Sequence, residues 1–245
     1  MNQFARTQQL LGKTAMEKIK RARVAVFGLG AVGSFAAEAL ARTGVGNMHL
    51  IDFDRVDATN INRQIYALHS TVGKEKAALA QQRIQDINPD CSLKIDSSFV
   101  NAGSLENLLD PDTDIVVDAI DGLNSKVNLI AAAVKMQIRV VSSMGAGGRT
   151  DISMIRTGDI SETCVCPLAR VVRRRLHRRG IYKGITTVYS IEKPLNKTRF
   201  DPEDFSDPLS GHGRPRPPIG TVPWVPGVFG LALAEQAVRI ILELY

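Results

Sequence analysis

The fold is decided by residues 23–54, which read RVAVFGLGAVGSFAAEALARTGVGNMHLIDFD. A short apolar run leads into Gly28, Gly30 and Gly33, an alanine-rich helical pattern follows, and a second apolar run ends at Asp52. This order predicts a strand, a glycine-rich turn, a helix and a second strand. Such a unit is typical of the first half of a doubly wound α/β fold.

The three glycines each have a predicted role in binding a phosphate. Gly28 would allow the tight turn, Gly30 would let the backbone approach the phosphate, and Gly33 would let the helix pack on the strand. The helix N-terminus would face the anion with unpaired N–H groups. Asp52 and Asp54 stand where an acidic side chain binds ribose hydroxyls. A purely structural turn is the alternative for an isolated glycine motif, but the strand, helix and distal acid together favour nucleotide binding.

The rest of the chain continues the alternation of helices and strands. Helical patterns cover residues 1–22, 73–87 and 125–136, and buried parallel strands are predicted at 114–121 and 138–143. We therefore predict an α/β protein with a doubly wound, mostly parallel sheet of the Rossmann type.

The pattern changes after the glycines that end at residue 148. Strands are predicted there at 151–155 and 186–191, and helices at 167–179 and 228–244. Residues 194–218 contain six prolines and are predicted to form a long loop. We predict a nucleotide-binding core at 1–148 and a smaller C-terminal α+β extension at 149–245, together in one compact unit.

The composition of the 245 residues is that of an intracellular globular protein. Three cysteines in a chain of this length indicate a reducing compartment and not a disulfide framework. No apolar run approaches the roughly 20 residues of a membrane span, and the N-terminus does not resemble a secretory signal. We therefore expect a cytoplasmic protein with no membrane span. The net charge of +6 is unevenly distributed, so its location matters more than its size.

Polar side chains that follow the second predicted strand suit a triphosphate. Arg63 can fork onto phosphate oxygens, Lys76 can neutralise a leaving pyrophosphate, and the amides of Asn60 and Gln64 can orient the rest. Asp121 follows a later strand, at the edge where such sheets bind ligands, and can hold Mg²⁺ against phosphates. The arginine and the lysine favour an enzyme that cleaves a triphosphate over an NAD-dependent oxidoreductase or a non-catalytic nucleotide-binding module.

Four segments, in this order, resemble the ubiquitin-activating-enzyme superfamily in the small branch that includes MoeB, ThiF and HesA. They are GLGAVG, LIDFDRVDATNINRQ, GKEKA and VVDAIDG, and the resemblance covers about residues 6–148. It implies that a carboxylate attacks the α-phosphate of ATP, with Mg²⁺ present, to give an acyl-adenylate and pyrophosphate.

The resemblance also implies roles for individual residues. Asp52 would hold the ribose, and Asp121 would be the catalytic aspartate linked to magnesium. The phosphates would be held by Asn60, Arg63, Gln64 and Lys76. The family works as dimers, so we expect a homodimer, in which Arg6 of FARTQQLLG would reach the ATP site of the partner subunit.

The cysteines depart from the pattern of the sulfur-carrier activators in this family. Those proteins usually bind zinc through two CxxC pairs, whereas this chain has only Cys164 and Cys166 together with a distant Cys91. Tetrahedral zinc needs four ligands, so we predict no structural zinc. Cys164 is a candidate for the cysteine that thioester-forming members use, but a plain small residue before the helix at Pro167 is the favoured interpretation.

The second half resembles one subgroup, the tRNA threonylcarbamoyladenosine dehydratases. The similar segments are SMGAGGRTDISMIRTGDISET, PLARVVRRRLHRRGI and VYSIEKP. The resemblance implies that the threonyl carboxylate of a modified adenosine beside the anticodon is adenylated. The neighbouring carbamoyl group would then close a ring and release AMP. The alternative substrate is the C-terminal carboxylate of a ubiquitin-like sulfur carrier, and a sulfur-relay protein is a candidate partner.

The predicted helix at 167–179 favours the nucleic-acid substrate. Arg170, Arg173, Arg174 and Arg178 belong to a run without acids, whereas a merely solvated face normally mixes both signs. We therefore predict that these arginines contact the RNA backbone. Arg214 and Arg216 are candidates to add to this surface. Tyr182 and Trp224 are candidates for base stacking, although Trp224 is expected to pack beneath the long loop.

Overall fold

The computed structural model describes residues 2–195 and 219–244, and one sheet runs through them. Its seven strands lie in the order β3-β2-β1-β4-β5-β7-β6, and all neighbours are parallel except β6 and β7. The strands are β1 (Arg23–Phe27), β2 (Asn47–Ile51), β3 (Ser92–Asp96), β4 (Ile115–Asp118), β5 (Arg139–Ser143), β6 (Ile155–Asp159) and β7 (Thr186–Ser190). The prediction of a doubly wound, mostly parallel Rossmann-type sheet is confirmed.

Helices cover both faces of this sheet. They are α1 (Ala5–Leu11), α2 (Lys13–Arg21), α3 (Gly33–Thr43), α4 (Lys76–Ile87), α5 (Leu105–Leu108), α6 (Leu123–Lys135), α7 (Pro167–His177) and α8 (Trp224–Leu242). The helical pattern predicted for residues 1–22 is split into two helices at Gly12, whose φ of +86° lies in the region that favours glycine. Two apolar cores result, one on each face of the sheet.

The strand predicted at residues 151–155 is wrong. Residues Ile152–Met154 form a 3₁₀ turn, and β6 begins only at Ile155. The carboxylate of Asp151 accepts hydrogen bonds from the backbone N and from Oγ of Ser153, at 2.8 and 2.6 Å. A side chain that caps its own backbone in this way competes with strand pairing.

Strands β6 and β7 continue the same sheet, since β7 pairs with β5. The C-terminal α+β part is therefore built onto the edge of the parallel sheet. The division at residues 148 and 149 stays a prediction.

Helix α8 begins four residues before its predicted start at residue 228. Pro226 lies in its first turn, where a missing backbone N–H removes no helical hydrogen bond. At Gly230 the backbones of α8 and α3 approach so closely that an added Cβ would lie 2.4 Å from the carbonyl oxygen of Val32 and 2.6 Å from Cβ of Phe35. Helix α8 is thereby held against the beginning of α3.

By length and composition alone, α8 is long and apolar enough to cross a membrane, with a mean hydropathy of 1.5. Half of that stretch is buried in the protein, and Val225, Phe229, Leu233 and Ala237 belong to the core. Core helices of globular proteins meet the same criterion, so α8 is weak evidence for a membrane span.

His49 on β2 makes stability depend on pH. Its Nε2 is buried without a partner among the described residues. Burial, and then the charge of the cross-strand neighbour Lys94, lower the pKa of His49 from 6.5 to about 4, against the opposing effect of Asp96 and Asp110. The unfolded chain therefore binds a proton below pH 6.5 that the folded chain does not bind. The free energy of unfolding should fall by on the order of 1–3 kcal/mol between pH 6.5 and 4 through this group.

The measurement is urea unfolding of the parent and of His49→Gln at pH 7 and pH 4. Acidic residues titrate in both proteins, so the difference between them isolates His49. We expect the parent to lose more stability on acidification than the variant. Equal losses would show that His49 does not carry this pH dependence.

Candidate functional site

The sheet order brings the predicted nucleotide residues to one edge. Strands β2, β1 and β4 are neighbours, and their carboxyl ends meet at the same side of the sheet. The glycine turn follows β1, Asp52 follows β2, and Asp121 follows β4 by three residues. Open α/β sheets bind ligands at this edge.

The glycine turn has the geometry that its residue types predict. Gly28 has φ +88°, and a Cβ there would lie 2.8 Å from the carbonyl oxygen of Ala119. A Cβ on Gly33 would lie 1.7 Å from the carbonyl oxygen of Gly28, so helix α3 can start only on a glycine. At Gly30 the nearest atom would be Nε2 of Gln64 at 3.8 Å. The turn is therefore closed on its protein side and open at Gly30, where a phosphate would approach.

Asp52 is buried and joins the second strand to the glycine turn. Its Oδ2 accepts a hydrogen bond from the backbone N of Leu29 at 2.6 Å, and its Oδ1 accepts one from the backbone N of Asp54 at 2.8 Å. Burial raises the pKa of Asp52, while the charge of Lys76 and these hydrogen bonds work in the opposite direction. Each carboxylate oxygen keeps a second lone pair for a ribose hydroxyl.

Lys76 is the first residue of α4 and is buried together with its charge. Its Nζ lies 2.8 Å from Oδ2 of Asp54, which is 40% exposed. The backbone N of Lys76 also donates to the carbonyl oxygen of Asp54 at 3.0 Å. The ammonium group is thus held beside Asp54, just after the carboxyl end of β2, and Asp54 is its counter-ion.

The amides of Asn60 and Gln64 are buried in the segment between β2 and α4. Oδ1 of Asn60 accepts a hydrogen bond from the backbone N of Asp57 at 3.3 Å and so closes a 3₁₀ turn. Oε1 of Gln64 is buried without a hydrogen-bond partner among the described residues. Because Gln64 also faces Gly30, a ligand in the turn would meet an amide with unused hydrogen-bonding capacity.

Arg63 is half-buried beside this amide. One guanidinium nitrogen donates to the carbonyl oxygen of Thr59 at 2.6 Å and to Oδ1 of Asn62 at 2.9 Å. Burial lowers the pKa of Arg63, and the charges of Asp121 and Asp57 raise it again. An arginine remains charged at neutral pH under such opposing effects. Its other nitrogens remain available for phosphate oxygens.

Asp121 is exposed, and its carboxylate makes no hydrogen bond or ion pair with residues 2–195 or 219–244. A buried ion pair supports the turn that carries it: Nζ of Lys126 lies 2.6 Å from Oδ2 of Asp118, and both side chains are fully buried. Ser142 Oγ donates to the same oxygen at 2.6 Å. This pair is not among the residues predicted from the sequence, although a lysine on the apolar face of α6 is a usable signal.

Arg6 is the predicted site residue that the structure does not bring to this edge within one chain. It lies exposed on α1 and makes no ion pair with the described part of the chain. Its contribution to a partner's site stays a prediction.

The arginines of α7 and of the turn that follows it divide into two groups. Arg170, Arg174 and Arg178 follow one another at intervals of four residues and are exposed, without an ion pair to the described residues. We call these three the arginine stripe. Arg173 instead donates to the carbonyl oxygen and Oγ1 of Thr163, at 2.6 and 2.5 Å. Its guanidinium is therefore partly used within the chain, which weakens its predicted RNA contact.

Two further arginines of the run, Arg175 and Arg179, also form hydrogen bonds within the chain. Arg175 bonds to Oδ1 of Asn124, and Arg179 donates to Oδ1 of Asn128 at 2.7 Å. Both partners belong to α6, so these arginines attach α7 and the turn after it to α6. Arg214 and Arg216 lie outside the described residues.

Two of the three cysteines, Cys164 and Cys166, lie just before α7. Cys166 is buried and Cys164 is exposed, so the burial expected of a plain small residue holds only for Cys166. No group of three or more His, Cys, Asp or Glu side chains suited to a metal occurs in the described ranges. Trp224 is half-exposed and donates from Nε1 to the carbonyl oxygen of Thr150 at 2.8 Å. Its expected packing beneath the long loop stays a prediction, because residues 196–218 lie outside the described part of the chain.

The family is decided by residues 3–244, which match the model of the ThiF family. The chain belongs to the ThiF family. Within it, the chain is 39% identical to the tRNA threonylcarbamoyladenosine dehydratase of Bacillus subtilis, over 99% of this chain and 96% of the relative. The corresponding dehydratase of Escherichia coli is 40% identical over 77% of this chain and 73% of its own length. The resemblance predicted from the motifs is confirmed.

Solved structures of this ThiF-family subgroup have the same fold. The crystal structure of E. coli tRNA N6-threonylcarbamoyladenosine dehydratase, TcdA, in complex with ATP has a TM-score of 0.86 at 33% identity and covers 98% of this chain and 94% of that chain. Its complex with AMP has a TM-score of 0.85 at 34% identity. That relative therefore binds both ATP and AMP.

Proposed function

We propose that this ThiF-family chain is a tRNA threonylcarbamoyladenosine dehydratase that uses ATP. The observation that carries the proposal is the similarity to the B. subtilis dehydratase over almost the whole of both chains. The arginine stripe adds support, because an exposed row of unpaired positive charge suits an RNA backbone. A small sulfur-carrier protein would give that stripe no function.

In the first step, an oxygen of the threonyl carboxylate attacks the α-phosphorus of ATP, and the bond to pyrophosphate breaks. Arg63 would place its free nitrogens on the phosphate oxygens where charge develops, and Lys76 would stabilise the departing pyrophosphate. The open Gly30 turn would receive a phosphate, and Asn60 and Gln64 would orient it. Asp52 would hold the ribose hydroxyls.

In the second step, the carbamoyl group of the same nucleoside attacks the acyl carbon. The bond to AMP breaks, a proton is lost and a ring closes, so the net change is a dehydration driven by ATP. Because nucleophile and acyl group belong to one nucleoside, the enzyme mainly needs to hold the substrate and exclude water. We place no catalytic cysteine in this step.

Mg²⁺ is proposed as the companion of ATP, and Asp121 fits it. An exposed carboxylate that makes no hydrogen bond within the described residues, at this edge of the sheet, is the type of ligand that Mg²⁺ takes together with phosphate oxygens. The ion would neutralise phosphate charge there. We further propose a cytoplasmic homodimer in which Arg6 of one subunit completes the other's ATP site. A sulfur-relay protein is a further candidate partner, and we propose no binding residues for it.

The test is incubation of the purified protein with Mg²⁺-ATP and threonylcarbamoylated tRNA, followed by nucleoside mass spectrometry. We expect a product lighter by one water, with AMP and pyrophosphate formed in equal amounts to it. Omission of ATP and replacement by NAD are the controls. Unchanged nucleoside in the complete mixture would reject the proposal.

Elemental analysis separates this function from activation of a sulfur carrier. We expect far less than one zinc per chain, because Cys164 and Cys166 have no second pair and tetrahedral zinc needs four ligands. About one zinc per chain, retained after dialysis, would contradict this and favour the sulfur-carrier alternative.

A further inference from the structure

A second surface feature adjoins the arginine stripe at the end of α7. Tyr182 is 61% exposed, and its ring centroid lies 5.1 Å from that of His177, at an interplanar angle of 43°. His177 is exposed as well, and Arg178 follows it directly in the chain. The two rings therefore form a small aromatic surface beside the positive charge of Arg178.

The turn that carries Tyr182 is held firmly from its helix side. The backbone N of Ile181 donates to the carbonyl oxygen of Leu176 at 3.0 Å. The backbone N of Gly180 donates to the carbonyl oxygen of His177, also at 3.0 Å. With Gly180 at φ +76°, these bonds form a Schellman motif. Ile181 packs into the core, so the next side chain, Tyr182, is directed outward.

The far side of the turn is fixed by Asp159. Its Oδ2 accepts hydrogen bonds from the backbone N of Gly184 at 2.6 Å and of Ile185 at 3.1 Å. An exposed ring on a backbone held at both ends loses little conformational freedom when a flat ligand stacks on it. The large exposed fraction of the Tyr182 side chain therefore leaves its ring accessible to a ligand.

We infer that Tyr182, backed by His177, is a stacking site for an unpaired base of an RNA loop, with Arg178 at its rim on the adjoining phosphate. The inference rests on the proposed function and adds to it how the tRNA is recognised. Proteins that bind single-stranded RNA combine exposed aromatic rings with cations in this way, since every base offers a flat face. In the interior of a duplex each base is stacked on both faces, so no flat face is free for the ring.

The experiment measures binding of two RNA probes over a series of salt concentrations. One probe is an anticodon stem–loop hairpin, and the other is a blunt duplex of equal length. The variants are Tyr182→Leu, which removes the ring, and Tyr182→Phe, which keeps it. Melting temperatures check that both variants are folded, which the exposure of this side chain favours.

We expect Tyr182→Leu to weaken hairpin binding roughly five- to a hundredfold and to leave duplex binding unchanged. The slope of log affinity against log salt should equal that of the parent, because no phosphate contact is lost. Tyr182→Phe should bind like the parent. Parent-like hairpin binding by the leucine variant, or an equal loss on both probes, would overturn the inference. If the parent itself binds no tRNA, the proposed function fails first and this site fails with it.

Discussion

Replacing Arg63 or Asp121 with alanine is expected to lower the rate of adenylate formation about a hundredfold or more. Both residues would act where charge develops at the phosphates, and loss of one positioned charge there typically has this effect. The measurement is single-turnover release of pyrophosphate with saturating ATP and threonylcarbamoylated tRNA. Neither side chain belongs to the core, so both variants should remain folded.

Lys135→Ala is the matched control for this pair. Lys135 lies exposed at the end of α6 that is remote from Asp121, so its loss removes a charge without touching the site. Its rate should equal that of the parent. A near-parental rate in either Arg63→Ala or Asp121→Ala would remove the adenylation mechanism in this form.

Reversing two charges of the arginine stripe, with Arg174→Glu and Arg178→Glu together, should weaken tRNA binding by roughly one to two orders of magnitude. The slope of log affinity against log salt should fall by about one for each lost phosphate contact. ATP affinity should not change. Turnover should be poor at low tRNA concentration and should recover partly as tRNA is raised.

A double variant of equal charge change, Lys20→Glu with Lys135→Glu, controls for net charge. Both lysines are exposed and lie outside α7. If this control weakens tRNA binding as strongly as the stripe variant, the effect is one of overall charge. Parental affinity and slope in the stripe variant would show that these arginines only face solvent.

The elements that decide the nucleotide site could be predicted from sequence because their signals are local. The β1 turn needs glycine at positions 28 and 33 for steric reasons, and those residues are visible in the chain. The prediction of a strand at 151–155 was wrong because the carboxylate of Asp151 accepts a backbone hydrogen bond that stabilises a turn. The alternation of apolar residues gives no sign of that hydrogen bond. The prediction of one helical segment at residues 1–22 missed the break at Gly12 for a similar reason. The positive φ of this single residue ends α1, and the pattern of apolar residues does not show it.

Long-range pairing explains what sequence reasoning missed at the site. The run of arginines predicted one basic face, but Arg173, Arg175 and Arg179 find partners in Thr163 and in α6. Those partners are uncharged carbonyl, hydroxyl and amide groups, and the two amides lie 51 residues away in the sequence. The buried pair of Asp118 and Lys126 was likewise hidden, because only the packing of α6 on β4 brings the two together.

The close approach of α8 to α3 at Gly230 links the last helix of the chain to the first loop of the nucleotide site. Val32, whose carbonyl oxygen faces Gly230, belongs to the same glycine turn as Gly30. Any side chain at position 230 would displace this loop, although the changed residue would lie on α8 and outside the glycine turn. A substitution at Gly230 would then lower the affinity for ATP by displacing the glycine turn, although the changed residue lies about 200 positions away from that turn in the sequence.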